Sequence, residues 1–353
     1  MNNPSAYFDV AIWEGDDQDN RSIQGIGFKP ELIIWNNRDN TEEWPIADAI
    51  RGVNNHWWIG STDEPDDATE RLTDFLDTGF KMGSDADGKI NDDGDSFVAW
   101  MWDATGGSNS GTTPKSGASG QTHTATNSYW NRDAGFEILK YTGTGTAGKV
   151  GHNLGAKPDF MIFKALGASN INAPYWHNDF DSAGDEYAVI NHEFAVATDA
   201  GAIWNDVEPT SDTFGVGTHN MIGSSSYTPY IAYLWTNIEG YSQAGAYTGW
   251  NSSTGPFIYT GFRPRFIWLK ERGGSSASVL FDTRRDNQGN EPQGNWTFHP
   301  NWTNNDSRSA GTDYIDYYSN GFRITRAHGY VNNAAKYLYF ALAEHPFKTA
   351  NAV

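Results

Sequence analysis

Carboxylates crowded on a glycine-bent loop are the first chemistry this sequence offers. Asp85, Asp87, Asp92, Asp93 and Asp95 fall within residues 85–95, a stretch bent by Gly88 and Gly94. Hard oxygen ligands arranged this way suit calcium. Lys89 stands at the fifth ligand position of the helix–loop–helix pattern, and no glutamate closes the loop. The five aspartates are therefore a calcium candidate, set against a plain acidic turn.

Ring stacking is the second possibility. Trp57, Trp58, Trp130, Trp176, Trp250, Trp296 and Trp302, seven of 15 tryptophans, lie in polar segments without strand-like patterning. Aromatic rings on loops stack on sugar faces or anchor a neighbouring module or chain. These seven are the candidate ligand-binding residues. Exposure on one common face would indicate binding, and burial against a neighbour would indicate assembly.

Catalytic patterns fail on inspection. Gly143-Thr-Gly-Thr-Ala-Gly-Lys149 resembles a phosphate loop, but Val150 stands where the magnesium-binding hydroxyl belongs. The residues that follow, Gly-His-Asn-Leu-Gly-Ala-Lys-Pro, cannot form the helix whose N-terminus holds phosphate. His192-Glu193 begins a zinc-protease helix, yet Val196 occupies the second histidine position. The nine histidines are scattered singly, and nothing among 44 acidic residues selects a glycosidase pair. No catalytic residue is assigned, and the chain is expected not to be an enzyme.

The elements that would position these residues are written three times. A Gly-x-basic-Pro turn precedes an apolar run at Gly27–Pro30 (Leu32 to Trp35), Gly155–Pro158 (Phe160 to Phe163, with Ala156 before the lysine) and Gly261–Pro264 (Phe266 to Leu269). Proline fixes φ and cannot donate to a ladder, so it suits a strand's first residue, and glycine supplies the turn before it. An aromatic residue opening an aromatic-x-Gly triplet stands 14 positions before the glycine in all three copies (13 to 27, 141 to 155, 247 to 261). Further on come Phe80, Phe214 and Phe322, each followed by an apolar aromatic strand at 97–102, 230–235 and 337–342. Trp13, Trp35, Trp100, Trp102, Trp235 and Trp268 fall on these strands and are expected in the core.

The repeat predicts an all-β protein of three tandem diverged β-sandwich modules, lectin-like or jelly-roll-like, at 1–106, 107–240 and 241–353. A Gly/Ser/Thr-rich connection from Thr105 to about Gly120 opens the second and reads as flexible. The third follows the second without a linker. Helical periodicity is weak throughout, and only Glu70 to Asp77 reads as a helix of a turn or two.

With Lys+Arg at 24 against Asp+Glu at 44, the net charge of −20 repels phosphate backbones, so nucleic acid is not an expected partner. There is no cysteine, which removes disulfides and thiol chemistry together. No signal peptide is visible, and no run approaches the ~18 to 20 apolar residues of a membrane span, so membrane insertion is not expected.

The order Tyr247-Thr-Gly, Gly261-Phe-Arg-Pro264, Phe281-Asp282-Thr-Arg-Arg285, Asn320-Gly-Phe322 and the ending Pro346-Phe347-Lys-Thr-Ala-Asn351-Ala resembles a repeated module of unknown function in bacteriophage virion proteins. Such modules are common in marine phages and are usually labelled tail-fibre or structural proteins. The first module departs from the pattern with Asp48-Ala-Ile-Arg51 and Trp13-Glu-Gly, and the second has no clear Asp-x-x-Arg. The resemblance implies lectin-like sandwiches and brings no catalytic residues. It makes the expected function that of a virion component, a tail fibre or tail-associated protein with host-surface glycan recognition, located on the tail or capsid surface. The expected partners are other virion proteins and further copies of the chain, most simply as a trimer. The alternatives are a capsid decoration or head fibre protein and a soluble carbohydrate-binding lectin. Calcium is the only cofactor the residues suggest.

Overall fold

The computed structural model describes residues 3–85, 87–180, 184–199, 201–286, 293–294, 296–301, 307–308 and 314–344. Every Gly-x-basic-Pro turn delivers the chain into a strand, here named the proline strand: Leu32–Asn37, Phe160–Ala165 and Pro264–Glu271. A lead strand runs through Phe8–Glu14, Phe136–Tyr141 and Ser242–Thr248. A closing strand runs through Ser96–Trp102, Tyr230–Trp235 and Lys336–Ala343. In all three sheets the closing strand lies between the lead and proline strands and is antiparallel to both. A fourth strand, Pro45–Asp48, Pro174–His177 or Val279–Asp282, pairs on the far edge of the proline strand. The protein is all-β, with the same strand order built three times.

The central position explains why the closing strands are apolar without alternation. A strand flanked on both sides and covered on both faces exposes no row of side chains, and all six residues of Tyr230–Trp235 are buried. In the first unit the two faces are distinguishable. Phe97, Ala99 and Met101 join Trp13, Trp35, Phe80 and Met82 in a core local to that unit. Val98, Trp100 and Trp102 point the other way, into a core shared by all three units.

A smaller outer sheet lies against each of these three sheets, an arrangement consistent with an all-β sandwich fold. It comprises Arg21–Gln24, Gly79–Met82 and Leu72–Leu76 in the first unit, and Gly148–Gly151 with Thr213–Val216 in the second. In the third it comprises Phe257–Tyr259, Gly321–Ile324, Ile315–Tyr318 and Gln293–Gly294. Residues Glu70 to Asp77 are thus no helix. Leu72–Leu76 is a strand hairpinned onto Gly79–Met82, because Leu72 and Phe75 gain cross-strand partners there that a two-turn helix would not supply.

The glycine-rich connection is not a loose tether either. Ser110–Gly111 pairs with Ala125–Asn131. The Gln121 amide donates to the Lys115 and His123 carbonyls, and the Thr122 and His123 N–H groups both donate to the Lys149 carbonyl at 3.0 Å. Satisfied backbone polar groups hold the segment on the second unit's outer sheet.

Aromatic rings from the three inner sheets meet at the centre. Trp102 lies 6.0 Å from both Trp235 and Phe266, and Phe340 lies 5.6 Å from Trp235 and 5.0 Å from Phe160. They surround a cavity of about 40 Å³ walled only by apolar atoms, with Ile34, Ile162 and Trp268 at matching positions four residues after each proline. A hole of this character stays dry.

Candidate functional site

Several buried polar side chains lie where the units meet. Register makes the comparison direct: Asp48 pairs with Leu32, His177 with Phe160 and Asp282 with Phe266, each partner standing two residues after its proline. On the closing strands, Trp100, Tyr233 and Phe340 pair with Ile34, Ile162 and Trp268. Three contacts at or next to these positions close a ring between the units, two through side chains and one through the backbone carbonyl beside Phe340. The Tyr233 hydroxyl of the second unit donates to Asp48 Oδ2 of the first at 2.8 Å. His177 Nε2 of the second donates to the Tyr339 carbonyl of the third at 3.1 Å. Trp100 Nε1 of the first donates to Asp282 Oδ2 of the third at 3.2 Å.

Each contact has local support. Arg51 and Arg285, three residues after their aspartates, pair with them at 2.5 Å through Nε and also donate to the Ile46 and Leu280 carbonyls. The Arg285 guanidinium is fully buried and lies 4.4 Å from the Phe298 ring centroid. Buried charges persist only when paired and hydrogen-bonded in this way. In the second unit an imidazole replaces the carboxylate and Phe180 replaces the guanidinium. Burial pushes His177 down to about 4, so its ring is neutral near pH 7, donating through Nε2 and accepting the Asp179 N–H at Nδ1. Phe180 then packs apolar against Tyr175 and Trp176. One signal for this match was available: His177 stands 19 positions after Pro158, where Asp48 and Asp282 stand 18 after theirs.

Two buried lysines form a second tier of junctions. Lys164 and Lys270 each stand six residues after a proline. Lys164 Nζ donates to the Ser61 carbonyl of the first unit at 3.3 Å, and Lys270 Nζ to the Glu193 carbonyl of the second at 3.2 Å. Burial pulls both down to about 8. Nearby in chain order but distinct in role, Glu137 is fully buried and accepts from Ser128 Oγ, Asn153 N–H and Asn153 Nδ2. Burial outweighs these bonds and pushes it up to about 7.

Of the five loop-assigned tryptophans whose side chains are described, three are buried, one is half-buried and one is exposed. Trp57 and Trp58 end the strand Gly52–Trp58, which pairs with Pro45–Asp48, and strand alternation sends them to opposite faces. Trp57 is 0% exposed and donates its N–H to the Tyr233 hydroxyl at 3.1 Å. Trp58 is buried beneath the Arg71 guanidinium, 4.7 Å from its ring. Trp176 is buried in Pro174–His177 against Trp204, and Trp130 is half-buried on Ala125–Asn131 under Arg132. Among the described residues, Trp250 alone of the set is exposed. The side chain of Trp296 and the whole of Trp302 lie outside the described residues. The described members of the set share no one exposed face, and Trp57, Trp58 and Trp176 pack within the chain.

The acidic stretch does not converge either. Asp85 turns inward, where its carboxylate accepts the Ile90 and Asn91 N–H groups and burial pushes it up to about 7. Asp87 pairs with Arg71, which holds it at about 2 even though burial opposes this. Asp95 accepts from Asn37 and Asn40, while Asp92 and Asp93 face solvent. Among the described residues no three carboxylate or imidazole groups come together as a metal site. The glycine-rich segment at 143–147 links the lead strand Phe136–Tyr141 to Gly148–Gly151 of the outer sheet, with a strand and not a helix after it.

Five large apolar side chains are exposed among the described residues: Phe194, Trp250, Phe257, Tyr259 and Tyr318. The last three belong to the third unit's outer sheet.

Comparison with known proteins adds one family. No curated protein and no solved structure matches the chain. One family model, described only as a domain of unknown function, runs across all three sheet systems. The match covers residues 3–346, and the chain belongs to the family of that domain, DUF7483.

Proposed function

We propose that the protein is a structural component of a bacteriophage particle, a tail fibre or tail-associated protein that presents a rigid surface to the host and performs no catalysis. The observation that supports this best is the junction ring. Groups of the kind that elsewhere do chemistry, Asp48 with Arg51, His177 and Asp282 with Arg285, are buried at unit boundaries and hydrogen-bonded there. They spend their polarity on holding three sandwiches in one body. A body of that kind transmits load and displays side chains in fixed relation, as an appendage requires. The virion resemblance of the repeat supplies the setting.

In this reading the partners are other virion proteins, further copies of the chain around the appendage axis and a glycan on the host surface. Gold-labelled antibody on purified particles tests it. Label on the tail or its fibres is the expected result. Label spread over the head would make the protein a capsid decoration, and unlabelled particles would leave a free carbohydrate-binding lectin. Light scattering on the purified chain tests the trimer.

A further inference from the structure

We propose that the outer sheet of the third unit is a binding face for a short neutral glycan, with Phe257, Tyr259 and Tyr318 as the stacking rings. The inference rests on the surface-recognition reading above and assigns it a place.

The other two units act as internal controls. Register aligns the outer sheets: Ile23 faces Phe80, Val150 faces Phe214 and Ile258 faces Phe322 across the ladder. Phe257 then corresponds to Ser22 and Lys149, and Tyr259 to Gln24 and Gly151. Tyr318, opposite Gly321, corresponds to Leu76, opposite Gly79. The first unit thus wears mainly polar residues on this face. The second covers its face with its own chain, since a side chain on Gly151 would meet Gln121 and Lys115 and one on Gly215 would meet the Trp204 carbonyl. The third unit alone places aromatic rings there and leaves them 44%, 65% and 41% exposed at Phe257, Tyr259 and Tyr318.

The arrangement of the rings is specific. Tyr259, Gly321 and Tyr318 form one cross-strand row, and Phe257, Arg323 and Asp316 form the next. Gly321 lets the Phe257 ring lie over the sheet, because a Cβ there would come within 2.9 Å of it. Phe257 and Tyr318 meet edge to face at 5.6 Å. Beyond Tyr259 opens a groove of about 380 Å³ whose other wall includes Glu239 and Gln243. Flat apolar rings beside hydroxyl, amide and charged groups match a ligand with apolar faces and hydrogen-bonding edges, which is the character of a sugar ring.

Size and charge select among occupants. Taking ~150–250 Å² per aromatic side chain, the three exposed portions amount to roughly 300 Å². That is well below the ~800 Å² per partner of a standard protein interface, whereas the groove volume lies in the usual ~300–1,000 Å³ range for small ligands. A net charge of −20 disfavours an acidic glycan.

The test titrates the full chain with maltotriose, cellotriose, mannotriose and chitotriose, with 3′-sialyllactose as the acidic control. The variants Phe257→Ser and Tyr259→Gln carry the residues the first unit has, so a foldable alternative is built in, and their thermal transitions report folding. At least one neutral trisaccharide is expected to bind the wild type and to bind each folded variant about tenfold more weakly or worse. Binding of none of the four, equal binding by the variants or preference for the sialylated control would overturn the assignment. Self-association of the wild type that both variants lose would assign the face to a second copy and also overturn it. Particle labelling is independent of these outcomes: tail label with no trisaccharide bound removes this site and leaves the virion reading standing.

Discussion

Tyr233 and Asp48 are 185 residues apart in the chain and share a hydrogen bond of 2.8 Å in its interior. The same hydroxyl accepts the Trp57 indole N–H, so one oxygen joins the closing strand of the second unit to two strands of the first. Long-range polar pairs of this type join sheets built far apart in sequence within a buried interior.

Tyr233→Phe removes only that oxygen. It leaves a buried indole donor without an acceptor and takes one donor from Asp48, a loss of about 1–3 kcal/mol. Urea unfolding should show a lower midpoint at unchanged slope. Tyr318→Phe, on the exposed face, should stay within ~0.5 kcal/mol of wild type. Equal effects of the two changes would mean that the junction hydroxyl contributes nothing.

Arg285→Phe strands the Asp282 carboxylate in the interior and should cost about 3–5 kcal/mol. The double change Asp282→His with Arg285→Phe copies the second unit, where His177 holds the register of Asp282 and Phe180 stands three residues on, as Arg285 does, without a charge. The double variant should therefore be more stable than Arg285→Phe alone, as read from calorimetric transitions. A double variant as unstable as the sum of the singles would refute the equivalence of the two junctions.

Glu137 predicts a pH dependence whose sign can be worked out. Its folded value of about 7 lies above the ordinary 4.5 because burial disfavours the carboxylate. The folded state thus holds the proton more tightly than the unfolded chain does. The resulting stabilisation is complete below about 4.5 and is lost as pH rises to about 7, on the order of 3 kcal/mol in all. Buried histidines such as His177, held near 4, slope the other way, losing stability as pH falls from 6.5. The informative quantity is the difference from Glu137→Gln, which cannot ionise. Wild type should lose stability relative to this variant between pH 4.5 and 7 in denaturant titrations, and parallel curves would rule the effect out.

The three proline strands, the closing strands and the core tryptophans Trp13, Trp35, Trp100, Trp102, Trp235 and Trp268 were legible from residue order alone. Glycine before proline, then an uninterrupted apolar run, reports a strand covered on both sides, and that information is local. What covers the second side is not local. Trp57 and Trp58 stand among polar neighbours and read as loop residues, yet one is buried under Tyr233 of another unit and the other under Arg71. Glu70 to Asp77 reads equally well as a helical turn until Gly79–Met82 lies beside it. The aspartates at 85–95 read equally as cation ligands or as turn residues, and only the folded chain sets Asp87 beside Arg71, Asp95 beside Asn37 and Asp85 on the backbone N–H of Ile90. Spacing along the chain encodes backbone geometry and two-sided burial, whereas the identity of each buried group's partner is set only when sheets built far apart in sequence close on one another and exclude water.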